Sequence, residues 1–453
     1  MPVKAQESVV APDLPYGRWA RETTSMRKLG WRFLVRPEML LLIGALQANL
    51  PYLLWYLGYP ISREGRFDIT YQPLHLWILA YLAFYLGCLH VSSCLCRKSR
   101  GSGSLTVFRV TPGTYWTCMI VVIVLVLVQV FLACRLYGAL PILAFASGYD
   151  IGEVNKAQEA SGFGQLGLLR LTNSALGALI VAGFVSNIRS NRSNRRVLWV
   201  AIGVTAFASL FAGKTQGLFL FGCMLFTGVA LSGVNPLCAF SSPKNSSSQN
   251  SRRRTILVLS VLCFLLMLFH AGIHYIRRPG NREFGIAYAF EGVVSYMSWP
   301  LMNMEKQVQV SGFSGGSSEW RGLLDGLLPF KWRSDFRDAQ VLPKRPKVVR
   351  TSPSGFLSQP HWCLGLGWML VFMFGVGVTC QYLYVQSARS LFCLLVYSLA
   401  AWTLVAAHSY NHFLTLMFLP APAVAFFPLA KLIGSTRLVG VLRTCAYRAR
   451  YAA

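Results

Sequence analysis

The amino-acid sequence predicts an all-α polytopic membrane protein with about ten transmembrane helices, both termini in the cytoplasm and one long extracytoplasmic loop. Three observations lead to this prediction. The chain of 453 residues is 54% hydrophobic and only 13% charged, whereas a soluble domain carries about 25% charged residues. It contains several apolar runs of about 20 residues, the length that crosses a hydrocarbon core of roughly 30 Å as a helix. Its connecting segments alternate between an excess of basic residues and a mixture of charges, as the positive-inside rule describes.

The apolar runs are expected to be helices, because lipid offers no partner for an unpaired backbone group. They divide the chain into a cytoplasmic tail (1–36), helices one to seven (37–276), the extracytoplasmic loop (277–360), helices eight to ten (361–430) and a basic cytoplasmic tail (431–453). The predicted spans are Pro37–Tyr59, Pro73–Cys96, Thr114–Cys134, Leu166–Asn187, Val197–Gly213, Gly217–Val234, Thr255–Ile276, Leu364–Val385, Leu391–Ala407 and Phe413–Leu429.

The orientation of these helices follows from the distribution of charge. The segments assigned to the cytoplasm hold 25 of the 43 basic residues and three of the 16 acidic ones. This alternation holds through all ten spans, so both tails are predicted to be cytoplasmic. The same rule accounts for much of the net charge of +27. No nucleic-acid-binding module accompanies that charge, so nucleic acid is not an expected partner.

The longest connection is the predicted extracytoplasmic loop, 277–360, with seven prolines, twelve basic and seven acidic residues in 84 positions. Loops of this length inside a compact protein are usually functional or disordered. Its first part, residues 283–306, spaces aromatic and aliphatic side chains as an amphipathic helix at the membrane interface does. Its second part is basic and rich in proline, which favours extended structure.

One lysine interrupts an apolar stretch of 38 residues, Val197–Val234, in which Lys214 is the only charge. A continuous helix of that length would reach about 57 Å, nearly twice the hydrocarbon thickness. The stretch is therefore predicted to fold back at the sequence GKTQG, with its turn facing outward. A phosphate-binding loop is excluded, since that motif needs glycine where Ala208 stands. Lys214 is either an interfacial anchor or a ligand for an anionic group at the outer surface.

Further basic residues lie at positions predicted to be extracytoplasmic, where the positive-inside rule does not call for positive charge. Guanidinium and ammonium groups there could hold the diphosphate of a polyprenyl-linked substrate, with arginine binding in a bidentate fashion. Each of them could equally be an interfacial anchor. The candidate ligands for diphosphate or glycan are Lys214, Arg170, Arg135, Arg277, Arg278 and Arg282.

Across residues 135–415 the layout resembles the O-antigen polymerase (Wzy-type) group, the oligosaccharide repeat unit polymerases. The resemblance is carried by ALPILAFASGYDIGE, LLRLTNSALGAL, the FAGKTQG turn, YMSWPLMNM, TSPSGF and CLGLGWMLVFMFGVGV. It implies a multi-pass glycosyltransferase of the bacterial inner membrane. Such an enzyme transfers a glycan chain from polyprenyl diphosphate onto a new lipid-linked repeat unit at the outer face. The implied partners are these lipid-linked donors and acceptors, the surrounding membrane lipids, a flippase and a chain-length regulator.

This chemistry requires stabilisation of the leaving diphosphate and, for the acceptor hydroxyl, a base. Cations could serve the first purpose without a metal, and the sequence indicates no metal or other cofactor. The candidate bases are His361, where the long loop re-enters the membrane, and Glu291 in the amphipathic segment. His408 and His412 are further candidates.

Two alternatives stay open. A transferase similar to the O-antigen ligases would share most of these features. A lipid-linked oligosaccharide flippase or other transporter would be expected to carry ionisable groups within its spans, and here Glu38 is the only carboxylate in the predicted spans.

Overall fold

The computed structural model describes residues 32–58, 70–96, 107–137, 165–190, 192–211, 215–232, 298–316, 355–408, 412–414, 419–434 and 436–438, and these residues are mostly helical. The helices are α1 (Pro37–Tyr56), α2 (Gln72–Cys96), α3 (Pro112–Tyr137), α4 (Gln165–Val185), α5 (Arg192–Phe211), α6 (Thr215–Leu231), α7 (298–311), α8 (Ser358–Gln386), α9 (Leu391–Val405) and α10 (Pro420–Leu432). Short 3₁₀ turns cover Asn187–Ser190, Ala406–His408 and His412–Leu414. Strands β1 (Val107–Arg109) and β2 (Thr436–Leu438) pair antiparallel.

Helices occupy nine of the ten predicted spans, and the other span, 255–276, lies outside the described residues. Three helix starts differ from the sequence prediction by five residues or more. Helix α8 begins at Ser358 rather than Leu364. Helix α5 begins five residues earlier, at Arg192, so its first turns are polar and basic. Helix α10 begins at Pro420 rather than Phe413, as suits proline, which is favoured in a first helical turn and disfavoured further in.

Several of these helices are suited to a membrane. Three are long and apolar enough to cross one, at Gln72–Cys94, Pro112–Leu132 and Ser358–Gln386. Shorter apolar helices cover Leu171–Val185, Gly217–Leu231, Leu391–Val405 and Pro420–Leu432. Large apolar side chains on the outward surface of α3 are exposed, including Ile120, Val121 and Phe131. Contiguous apolar surface of this kind is unusual on a soluble protein, so the helices indicate a membrane protein.

Helices α2 and α8 run parallel and approach closely through glycine. A Cβ atom added to Gly87 would overlap the Phe374 carbonyl oxygen, and one added to Gly377 would overlap that of Phe84. Further along the pair, the Gln381 amide donates to the Ser92 hydroxyl at 2.8 Å. Small residues at such crossings let helix backbones pack without an intervening side chain, which is how helices associate in lipid.

One end of the bundle is closed by β1 and β2, and we call it the strand end. The Asn187 side chain, just after α4, accepts from the Val110 amide at 2.9 Å and donates to its carbonyl at 3.3 Å. The Thr111 amide before α3 donates to the Ile433 carbonyl after α10 at 2.9 Å. Arg32, before α1, donates to the Leu231 carbonyl at the end of α6. The strand end therefore joins the starts of α1, α3 and α5 to the ends of α4, α6 and α10.

The opposite end contains α7, and we call it the α7 end. Here the Tyr52 hydroxyl near the end of α1 donates to the Thr70 carbonyl before α2 at 2.7 Å. The Phe356 amide before α8 donates to the Ala407 carbonyl after α9 at 3.0 Å. Sequence neighbours among α1–α6 and α8–α10 thus run in opposite directions between the two ends.

Candidate functional site

Helix α7 is buried more completely than an amphipathic interfacial helix would be. Of the predicted amphipathic segment, 283–306, the structure describes residues 298–306. Residues 298–305 are all buried, so apolar packing is not confined to one stripe. Helix α7 carries polar side chains on two faces, and each face meets a different part of the bundle. Gln307 faces the start of α8, and Glu305 faces the connection between α1 and α2.

The Gln307 face forms a closed hydrogen-bond cluster with His361 in the first turn of α8. The Gln307 side-chain nitrogen lies 2.9 Å from His361 Nδ1 and also donates to the Ser358 carbonyl at 3.0 Å. The Ser358 hydroxyl donates to the Gln307 side-chain oxygen. His361 Nε2 lies 2.9 Å from the Phe313 carbonyl oxygen. Because a carbonyl can only accept, Nε2 carries the proton and Nδ1 accepts from Gln307, which defines a neutral imidazole.

Glycines bring the chain after α7 against His361. Gly315 has φ +60°, and a Cβ atom there would overlap the His361 ring. The Gly316 amide donates to the His361 carbonyl at 3.1 Å. Gly365 has φ +75° inside α8, and next to this irregularity the Leu366 amide donates to the Ser314 carbonyl at 2.7 Å. Only glycine adopts such backbone conformations without strain, so these positions fix residues 312–316 onto α8.

His361 is enclosed by its hydrogen-bond partners. Its side chain is 0% exposed, and both ring nitrogens are engaged within the protein. A general base needs an unshared lone pair within hydrogen-bond reach of its substrate. The lone pair of Nδ1 is already shared with Gln307, so in this arrangement His361 holds α7 to α8 and has no free position for an acceptor hydroxyl.

The Glu305 face is the opposite case. Glu305 is 1% exposed, and neither carboxylate oxygen has a hydrogen-bond partner of good geometry among the described residues. Thr70 and the Gln309 side chain are near enough to favour the charged form, but they are not aligned as full hydrogen bonds. Burial outweighs them and raises the pKa of Glu305. An unpaired buried carboxylate normally takes up a proton, so this group can hold and release one.

Glu305 is the residue that sequence reasoning missed, together with the His361 partners Gln307 and Ser358. A signal was present in the sequence. Glu305 is the only acidic residue between Glu291 and Glu319, and an apolar run precedes it. An amphipathic interpretation places such a side chain in water, so its burial depends on where α7 docks.

The other predicted site residues are only partly within the described chain. Arg135, near the end of α3, is exposed. Arg170 lies in the first turns of α4, and α6 begins immediately after Lys214. By helix direction these three positions belong to the α7 end of the bundle. His408 and His412 lie in the 3₁₀ turns after α9, at the same end. The predicted ligands and base outside the described residues are Lys214, Arg277, Arg278, Arg282 and Glu291.

Comparisons with protein-family models, with curated proteins and with solved structures found no match. The resemblance to the oligosaccharide repeat unit polymerases therefore stays a prediction from the sequence.

Proposed function

We propose that this protein is an oligosaccharide repeat unit polymerase of the bacterial inner membrane. It transfers a glycan chain from polyprenyl diphosphate onto a new lipid-linked repeat unit at the outer face. In this proposal about ten helices cross the membrane, both termini are cytoplasmic and the α7 end faces outward. Support for this orientation comes from the strand end, because every segment that meets there is one to which the charge distribution assigns a cytoplasmic position.

The observation that carries the proposal is the buried carboxylate of Glu305 at the α7 end. It belongs to the long connection that the sequence places outside the membrane, and it lies at the end of the bundle that also holds Arg135, Arg170 and the residue after Lys214. A carboxyl group with a raised pKa is suited to proton transfer, and cations at the same end of the bundle suit a diphosphate.

The proposed reaction uses these groups in one displacement. The acceptor hydroxyl attacks the anomeric carbon of the donor glycan, forming a new glycosidic C–O bond. The bond from that carbon to the diphosphate oxygen breaks, and its electron pair leaves with the polyprenyl diphosphate. The hydroxyl proton passes to ionised Glu305 as the base, and the sequence candidates His361 and Glu291 stay alternatives for this role. Because Glu305 is 1% exposed, α7 must move away from Thr70 before substrate can reach the carboxylate.

A gel of surface polysaccharide from the host with this gene deleted tests the proposal. We expect the ladder of chain lengths to disappear while single repeat units still reach the surface. Wild-type protein should restore the ladder, and Glu305→Gln should not, because an amide cannot accept the proton. The matched control is Lys306→Gln, which removes a neighbouring exposed charge and should restore the ladder. Full restoration by well-inserted E305Q would remove Glu305 from the reaction.

Lys214 provides a second test of the same proposal. Lys214→Ala should abolish chain extension while leaving the protein inserted, because the diphosphate would lose a cation that stabilises its developing charge. Wild-type chain lengths from the inserted variant would leave Lys214 as an interfacial anchor.

The same carboxylate favours one alternative function, a proton-coupled carrier of lipid-linked oligosaccharide, because buried ionisable groups in membrane proteins commonly serve proton relays. The deletion strain distinguishes the two. A carrier would leave lipid-linked repeat units on the inner face, whereas a polymerase would leave them on the outer face. A transferase similar to the O-antigen ligases would leave the lipid-linked chains extended but not joined to their final acceptor.

A further inference from the structure

The strand end holds a partly buried arginine, Arg189, with one guanidinium nitrogen that is buried and unpaired among the described residues. Arg189 lies in the 3₁₀ turn Asn187–Ser190 that connects α4 to α5. Its Nη1 atom is buried and has no hydrogen-bond partner within the part of the chain that the structure describes. Burial lowers the pKa of Arg189, and the neighbouring charge of Arg195 lowers it further. A buried donor of this kind costs free energy unless something accepts its hydrogen bond.

No carboxylate of the described residues compensates for this charge. Glu38 and Glu305 are the acidic residues of the described ranges. Glu38 lies 3.8 Å from Arg36, and Glu305 belongs to the opposite end of the bundle. The group that does lie beside Arg189 is a second cation, Arg195, and two like charges repel when they are brought together.

The start of α5 adds to the same positive field. Helix α5 is 20 residues long and begins at Arg192, with no acidic residue in its first turn. The first turn of a helix carries partial positive charge from its unpaired N–H groups, which favours an anion and disfavours cations. Arg195 and Arg196 follow directly. Two neighbouring arginines and a helix start therefore lie together at the strand end, where no acidic residue other than Glu38 is described.

We propose that Arg189 and Arg195 bind a phosphate group at the strand end, supplied by the headgroup of an anionic lipid or by free phosphate. The planar forks of two guanidinium groups match the oxygens of a phosphate in geometry and charge. Basic pockets between helices on the cytoplasmic side of membrane proteins bind anionic headgroups in this way. The site is independent of the proposed glycan transfer, which takes place at the other end.

The test uses the purified full-length protein, and its readout is the midpoint of thermal unfolding. One arm compares nanodiscs of phosphatidylcholine with nanodiscs containing phosphatidylglycerol. The other adds inorganic phosphate to the phosphatidylcholine sample. We expect an anion to raise the unfolding midpoint of the wild type. Arg189→Gln and Arg195→Gln should each weaken the apparent affinity for that anion by about tenfold or more, as expected for the loss of one charge-assisted hydrogen bond.

Arg196→Gln is the matched control, because it removes an exposed charge from the same turns of α5 and should respond as the wild type does. Stabilisation by phosphatidylglycerol alone would identify a lipid headgroup, and stabilisation by inorganic phosphate as well would identify a site open to the soluble anion. The proposal is overturned if neither anion stabilises the wild type, or if R189Q and R195Q respond as R196Q does.

A second measurement separates ligand binding from internal packing. Without an added anion, R189Q should be at least as stable as the wild type. The substitution removes a partly buried charge and the Nη1 donor that has no partner among the described residues. A lower unfolding midpoint for R189Q in phosphatidylcholine would mean that Arg189 supports the fold directly, and it would also overturn the proposal. If R189Q does not fold, the unfolding midpoints of R195Q and R196Q, with and without the anion, provide the same comparison.

Discussion

Two buried polar side chains on α7, Gln307 and Glu305, differ in whether the rest of the protein offers them hydrogen-bond partners. They lie two positions apart, which is about 200° around a helix, so they point to opposite sides. Gln307 is 0% exposed and hydrogen-bonded to both His361 and Ser358. Glu305 is 1% exposed, and no donor among the described residues is aligned with its oxygens. The polar group on one face of the helix has its hydrogen bonds made, and the carboxylate on the other face has no well-aligned partner among the described residues.

The difference bears on the roles proposed for these residues. A fully connected buried network rigidifies the elements that it joins, and the Gln307 face joins α7 to α8. An unsatisfied buried carboxylate destabilises the fold unless it holds a proton, and groups in that condition concentrate at functional sites. In this comparison His361, the base candidate from the sequence, belongs to the connected network, and Glu305, the base proposed above, belongs to the unsatisfied face.

The largest expected effect is that of removing the His361 ring. His361→Ala would leave the Gln307 amide and the Phe313 carbonyl buried without partners and would open a cavity. We expect a loss of about 3 kcal/mol in the free energy of unfolding, measured by thermal unfolding in detergent. His75→Ala, at an exposed histidine of α2, should change stability little. Unchanged stability of H361A combined with loss of polysaccharide chain extension would instead return His361 to the role of base.

A smaller loss is expected when the glycine against the His361 ring acquires a side chain. Gly315→Ala would strain a backbone with φ +60° and push the new Cβ into the imidazole, for a combined loss of about 2 kcal/mol. Gly312→Ala is the matched control. Gly312 has φ +71° but no neighbouring atom within 4 Å of an added Cβ, so it bears the strain without the overlap. Equal unfolding midpoints for G315A and G312A would show that the His361 ring is not packed tightly against this turn.

The smallest effect belongs to the unsatisfied face and depends on pH. Because burial raises the pKa of Glu305, the folded protein keeps this proton at pH values where the unfolded chain, with a pKa of about 4.3, has lost it. The wild type should therefore lose stability as pH rises from the unfolded-state pKa to the folded-state pKa, and remain constant above it.

Glu305→Gln mimics the protonated acid and should remove this part of the pH dependence. It should also raise the free energy of unfolding at neutral pH, because the buried charge is gone. The measurement is the difference in unfolding midpoint between wild type and variant from acidic to neutral pH, with Lys306→Gln as control. A difference that does not vary with pH would show that Glu305 has an ordinary pKa and a partner.

Much of the fold could be predicted from the sequence, because it depends on local composition. An apolar run in lipid has to become a helix in order to pair its own backbone groups, so helices appear at nine of the predicted spans. The reversal at GKTQG was predicted from length alone, and α5, which ends at Phe211, and α6, which begins at Thr215, run in opposite directions. The positions of Arg135 and Arg170 at one end of the bundle followed from the alternating direction of the helices.

The tertiary structure decided the role of each polar residue at the α7 end. Gln307 and His361 are 54 positions apart, and nothing in the sequence near either one indicates that they share a hydrogen bond. The sequence predicts a solvent-exposed Glu305, and its burial follows only from the packing of α7 against Thr70. The sequence by itself determined which segments form apolar helices, since hydropathy acts over about 20 neighbouring residues. Which buried polar groups find partners was decided only by packing, because their partners come from distant parts of the chain.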